Sequence, residues 1–516
     1  MKKGFIFLIF LCALCSLSSC KENPEDLDYV ITLKTVGKGS VTGDGIYSYG
    51  TQAVLMATPE RGYKLDRWSD GALEKKRTLR VTQNISLTAY FIEGIDNPCT
   101  LHIDNSEGGS VKGGGTYEKG DSIILEAIPN DGYMFKSWSD GITDNPRIII
   151  LQDNMSLGAT FVKKGTIMLN VVGDGTVSGA GDYEIGTAVT ISAIPNEGAM
   201  FSNWADISSY NDDFLSSTRQ IIVKQGIQEF TAYMPTIPEG AIHSVFFIGK
   251  NKTTFFSKGN LQYQATTNTW KFADNQYDAI GENNTNISAS YNGWIDLFGW
   301  GTSGWNSGVE YYQPYSSAIG HGYLDSYLTL SLTGDYKNAD WGIYNPILNG
   351  GNEANMWRTL TYDELVYLMH KRPNAHSKYF KANIAGINGL VLIPDNNSSN
   401  QYIYVNADKN ANDYTTNVYT KEQWEEFEKD GLVFLPAAGQ RSGTEVKYSN
   451  NRGAYWVANF YAAGTDGYDH NGIWVTYSKY LYILYFTGID LQYGVGTWAQ
   501  YVTTTSVGLS VRLVSK

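Results

Sequence analysis

The stretch that decides the reading of this chain opens with Gly431-Leu432-Val433-Phe434-Leu435-Pro436-Ala437-Ala438-Gly439. It closes with Gly508-Leu509-Ser510-Val511-Arg512-Leu513-Val514. Both ends read as core. In the closing run Leu509, Val511 and Leu513 fall on one face of a strand, with Ser510 and Arg512 on the other. Between these ends the composition changes. Residues 453–508 hold nine Tyr, three Trp and two Phe among Gly, Thr, Ser and Val, with one Lys and no Arg. Large aromatics beside small, permissive residues are how binding loops are built, because a tyrosine brings wide contact area at little rotamer cost. The stretch is therefore expected to bind something, with the rest of the chain presenting it.

Working outward, the chain is too long for one ordinary core, and 516 residues call for several units. Aromatics at 14%, 54 Gly and only 13 Pro favour turn-rich β structure over helix bundles. Residues 1–19 read as a leader: Lys2 and Lys3, an apolar run from Phe5 to Leu14, then Leu17-Ser18-Ser19-Cys20. The run is shorter than the ~20 residues that span a bilayer. Its last four residues resemble a bacterial lipobox. That implies cleavage before Cys20 and lipidation there, with an anchor strong enough to hold the chain on an outer membrane, exposed at the cell surface. Residues 20–28, with Glu22, Glu25, Asp26 and Asp28, form an acidic tether that resembles a surface-export tag.

Removing the leader takes two Lys and no acid, so the formal charge moves from −13 to −15. Such a balance argues against nucleic acid as a partner. Cys12 and Cys15 lie in the leader, which leaves Cys20 and Cys99, and no disulfide is expected.

The next two hundred residues repeat. Gly39-Ser40-Val41, Gly50, Ala57-Thr58-Pro59, Gly62-Tyr63 and Trp68-Ser69-Asp70-Gly71 recur as Gly109-Ser110-Val111, Gly120, Ala127-Ile128-Pro129, Gly132-Tyr133 and Trp138-Ser139-Asp140-Gly141. A third copy has Gly175-Thr176-Val177, Gly186, Ala193-Ile194-Pro195, Gly198-Ala199 and Trp204-Ala205-Asp206. Alternation such as Val189 to Ile194 makes each copy a small all-β module over 29–94, 98–164 and 165–235. The tryptophan is expected to anchor each core, and the following Asp to be a turn residue. These copies resemble the divergent internalin-B-type B-repeat of bacterial surface proteins, which implies a stalk. Pro235 to Pro238 reads as a stiff connector.

From 241 to 516 one long unit follows. Residues 245–248 and 254–257 flank Gly249-Lys250-Asn251-Lys252, a hairpin signal. Thr361 with Glu364, and Thr420 with Gln423, are capping boxes that open helices to about Arg372 and Asp430. Lys258 to Tyr263, Trp294 to Gly304, Trp357 to Thr361, Gly389 to Asp395, Val433 to Gly439, Tyr455-Trp456 and Ser510 to Val514 occur in order. Together they resemble the surface-lipoprotein branch of the formylglycine-generating-enzyme-like, C-type-lectin-type fold. Some members of that branch are target proteins of diversity-generating retroelements. The fold class is thus mainly β: three small modules followed by a loop-rich α+β, C-type-lectin-like domain.

The resemblance implies that the region before Ser510 binds ligand and is hypervariable. It places the counterparts of Leu484 and Phe486 in the core, so that Ile483 and Tyr485 are expected to face outwards. Phe460, Tyr461, Tyr493, Trp498 and Tyr501 join them as candidate ligand-binding residues. Relatives carry Ser-Ser where this chain has Val457-Ala458, a departure on the same strand. The formylglycine-generating relatives use paired late cysteines, and this chain has none after Cys99. His243, His321, His370, His376 and His470 are scattered, and Asp408 to Tyr419 only half-matches a calcium loop. No catalytic residue, metal or cofactor is expected. The function expected is that of a monomeric, adhesin-like surface binder of an extracellular protein or glycan. The alternatives are a structural or glycan-handling outer-membrane component, and then an enzyme of the same fold.

Overall fold

The computed structural model describes residues 27–205, 212–307, 309–316, 331–395, 407–408, 413–462, 467–468, 474–475, 479–487, 491–494 and 507–516. They are mainly β, arranged in many small sheets. The chain divides into two compact units, residues 1–164 and 165–516.

In the first unit, module one folds because Gln52–Pro59 alternates: Ala53, Leu55 and Ala57 point into the core while Gln52, Val54 and Thr58 do not. That strand lies between Gly39–Thr42 and Lys76–Arg80. A second sheet pairs Asp28–Val36 in parallel with Ile85–Glu93. Trp68 sits between the sheets at 0% exposure and its indole N–H donates to the Glu74 carbonyl at 3.0 Å. Trp138 and Trp204 repeat this, donating to Asp144 at 2.9 Å and Ser216 at 3.0 Å. An arginine completes the motif in each module. Arg77, Arg147 and Arg219 lie over Trp68, Trp138 and Trp204 at 5.7, 5.4 and 5.4 Å from the ring centroids. Asp70 and Asp140 are turn residues, accepting from the backbone of Ala72 and Ile142. Each also takes the fork of its arginine, which holds its carboxyl below the usual range. The glycine landmark has a steric cause: a Cβ at Gly39 or Gly109 would collide with the ring of Phe91 or Phe161. Cys99 is a buried core residue of module two with a free thiol.

The second unit contains module three and the C-terminal domain, and these share a core. Phe246–Gly249 pairs with Lys252–Thr254 as the expected hairpin. Adjacent strand residues point to opposite sides, so Phe246 enters the C-terminal core against Phe256, 4.9 Å away, while Phe247 enters module three. There it meets Phe214 at 5.9 Å, in a cluster with Trp204 and Ile191. The Pro235–Pro238 connector is pinned as well: Met200 N–H donates to Pro235 at 3.1 Å and Ile237 N–H to Gly198 at 2.8 Å.

Beyond the hairpin, both expected helices form with complete capping boxes. Tyr362–Val366 is capped by Thr361 and runs on as a π-helical turn, Tyr367–Lys371; Lys421–Lys429 is capped by Thr420. The start and end of the domain are knitted together. Ser257 N–H donates to Leu513 and Leu261 N–H to Val511, both at 2.9 Å, and Trp357–Arg358 pairs with Val514–Ser515.

Phe247 is therefore the test of the shared core. Phe247→Ala should destabilise residues 165–516 by about 3–5 kcal/mol, read as one cooperative urea transition at lower midpoint. A separate early transition of module three alone would show that the two parts fold independently.

Candidate functional site

The aromatic-rich stretch enters the structure as three antiparallel strands, Gly453–Ala462, Lys479–Phe486 and Leu491–Gly494. Gly453 opposes Phe486, Ala454 opposes Tyr485, Tyr455 opposes Leu484 and Trp456 opposes Ile483. A side chain at Gly453 would collide with the Phe486 ring, so the strand enters on a residue without one. The register then slips between Trp456 and Phe460 and resumes with Phe460 opposite Leu481 and Tyr461 opposite Tyr480. Val457 and Ala458 occupy this irregularity and are both buried. Ala458 bonds Leu360 through its N–H and Leu332 through its carbonyl, at 2.7 and 2.8 Å. The Ala458 carbonyl also accepts from the Ser331 hydroxyl at 3.1 Å, so these apolar residues are tied in through their backbone.

The expectation that Ile483 and Tyr485 face outwards is corrected. They are 6% and 8% exposed. Tyr455, Val457, Leu484 and Phe486 belong to one buried cluster, with Leu365, Leu368 and Leu435. Ala454, Trp456, Ala458, Ile483 and Tyr485 belong to another, with Trp270, Trp300, Leu509 and Val511. The base of the strand pair is a wall between two cores, and each face needs apolar side chains. The sequence carried the signal: Ile483 to Phe486 is an unbroken run of large apolar and aromatic residues, the pattern of a strand buried on both sides.

Of the other candidates, Phe460 and Tyr461 lie on the first strand past the irregularity, and Tyr493 pairs with Leu484 on the third. Trp498, Tyr501 and Cys20 lie outside the described residues, as do His321, His470 and residues 409–412 of the half-matched calcium loop. His370 and His376 are exposed, their rings 5.5 Å apart. Burial and the neighbouring His376 and Lys371 charges press the His370 pKa down. Among the described residues no three His, Cys, Asp or Glu side chains come together as metal ligands. No described helix is long and apolar enough to cross a membrane.

The base is framed by buried polar groups. Tyr455 donates to the Pro436 carbonyl at 2.9 Å and accepts from Asn260 at 3.1 Å; burial raises its hydroxyl pKa. Trp456 donates to Phe298 at 2.7 Å. Arg512, expected opposite the apolar face of the closing run, is itself buried. It donates to Gln276 at 2.6 Å and to Phe434 at 3.4 Å. Burial lowers the Arg512 and Arg441 pKa to about 10, so both stay charged near neutrality. Arg441 donates to the carbonyls of Leu297, Ser316 and Gly443. Asp296 is raised to about 6 by burial while it accepts from Ile280 and Asn284. These groups fix the loops that carry Trp300 and Phe298 under the sheet.

An interior cavity of about 20 Å³ lies between Leu365, Leu368, Val457 and Leu484. That is room for about one water, so this cavity is no ligand chamber.

Against known proteins, the family model of the divergent InlB B-repeat domain matches three segments, 29–94, 99–165 and 166–233. The N-terminal modules are thus three such repeats. No curated protein matches the chain.

The corrected wall yields a direct test. Tyr485→Ala should lower the stability of residues 165–516 by about 3–5 kcal/mol, measured by urea unfolding. An unchanged midpoint would return Tyr485 to the surface.

Proposed function

We propose that the protein is a lipid-anchored cell-surface binder, held on an outer membrane through Cys20. Its ligand would be an extracellular protein or glycan, taken by aromatic side chains beyond the buried base of the C-terminal sheet. The observation that carries the reading is the division of that sheet. Residues 453–458 and 483–486 are locked between two cores, while the strands run on past a register slip into Phe460 and Tyr461. Side chains past such a base can vary without unfolding the domain, which is what a recognition surface on a fixed scaffold requires. Three B-repeats fit a repeat protein of the cell surface, and the lipobox-like Leu17 to Cys20 supplies the anchor. Binding in this reading involves no covalent step. Phe460, Tyr461, Tyr493, Trp498 and Tyr501 are the contacts, each anchor contributing about 2 kcal/mol.

The experiment compares the full chain with its Phe460→Ala/Tyr461→Ala/Trp498→Ala/Tyr501→Ala variant on arrays of glycans and bacterial surface proteins. The reading expects one ligand to be held by the wild type, at least tenfold weaker binding by the variant (about 1.4 kcal/mol) and an unchanged melting temperature. Equal binding by both, or a collapse of melting, overturns it. The hypervariable form of the reading has a genomic test: a near-copy of the sequence encoding 453–514, differing at adenines, beside a reverse transcriptase gene.

A further inference from the structure

Among the described residues, nine non-glycine positions have a left-handed backbone. Seven are asparagine, whose short amide tolerates that region, and one is Ala385, in a hairpin turn beside Gly386. The ninth is Tyr448, at φ +61° and 46% exposed. A bulky side chain there carries a backbone cost that Asn or Gly would avoid. Core packing does not offset that cost, because Tyr448 belongs to neither of the cores that flank the sheet.

What the position gives the ring is a fixed orientation. The Tyr448 carbonyl accepts from the N–H groups of Asn451 and Arg452, both at 3.0 Å, closing a tight turn. Asn450, itself at φ +58°, accepts from the Asn388 N–H at 2.7 Å and donates to the Gly386 carbonyl at 3.1 Å. The Arg452 guanidinium lies 3.7 Å from the Tyr448 ring centroid and 5.2 Å from that of buried Tyr485. Its Nη1 donates to Gln440 at 3.2 Å. Tyr448 is thus fastened to the core through Arg452 while nearly half of it stays in water.

We propose that Tyr448, backed by Arg452, is a stacking platform for a pyranose sugar. An exposed, rigid aromatic ring matches the C–H face of such a sugar, and the flanking Ser449 and Asn451, both exposed, supply hydroxyl and amide partners for its hydroxyls. The immediate surroundings weigh against other occupants. A cationic ligand would meet the Arg452 charge behind the ring. An apolar peptide would find Lys447, Ser449, Asn450 and Asn451 beside it and no apolar neighbour along the turn. The platform lies outside 453–508 and, among the described residues, reaches that stretch through Tyr485, which is no part of the proposed recognition surface, so it stands or falls separately from the function proposed above.

Saturation-transfer difference NMR on the full chain tests it, with the methyl β-glycosides of galactose, glucose and N-acetylglucosamine as probes. The wild type should transfer saturation from its aromatic protons to the ring C–H protons of at least one glycoside. Tyr448→Asn, which relieves the backbone, should reduce that transfer at least fivefold with the melting temperature held or raised, and Tyr448→Phe should retain it. No transfer to any of the three from the wild type, or equal transfer from Tyr448→Asn, overturns the proposal. A Tyr448→Asn variant that melts markedly lower also overturns it, because the ring would then be serving the fold.

Discussion

The burial of one strand pair on both faces governs the C-terminal domain. Residues 453–458 and 483–486 form a wall with a core on either side. Each alternate residue has its own apolar environment, so a slip of one residue would exchange Tyr455 for Trp456 and break both cores at once. The wall also recruits the chain's end. Ser510 N–H donates to Ala454 and Trp456 N–H to Ser510, at 3.1 and 3.2 Å, while Leu509, Val511 and Leu513 fill the Trp456 side. Through Ser257 and Leu261 the same end is tied to the start of the domain. Side chains at the base are consequently constrained by packing.

The second constraint is the pair Phe246 and Phe247. Two successive aromatics on one strand serve two cores, and the last repeat becomes part of the unit that carries the aromatic sheet. The three modules share the buried tryptophan beneath an arginine, yet the third has a further task. It supplies Trp204 and Phe214 as the floor on which the hairpin sits.

Much of this was legible from residues near one another in the chain. The repeats, their tryptophan anchors, the turns at Asp70 and Asp140, both capping boxes and the 245–257 hairpin are set by local spacing and turn chemistry, and the structure has them where the spacing puts them; Asp206 lies outside the described residues. What escaped was decided by distant partners. Ile483 and Tyr485 are apolar on either assignment, and only the second core, assembled from residues 241–357 and 507–513, settles which side they face. Phe247 reads as ordinary hairpin filler until Phe214 is beside it. The burial of Arg441 and Arg512 follows from carbonyl and amide acceptors up to 236 residues away. Tyr448 left one local trace, an aromatic at the head of the Ser449-Asn450-Asn451 turn, where small or amide residues are the usual choice.

The central claim is that the base of the aromatic sheet is locked by a core on either face, and that the proposed recognition residues lie beyond that base. Native-state amide exchange resolved by residue measures this most directly. The account predicts that the amides of residues 454–458 and 483–486 exchange only through global unfolding, with the full denaturant slope, whereas those of 460–462 and 479–481 exchange through smaller openings. Exchange of the base at a fraction of the global free energy, or one uniform value along both strands, would contradict it.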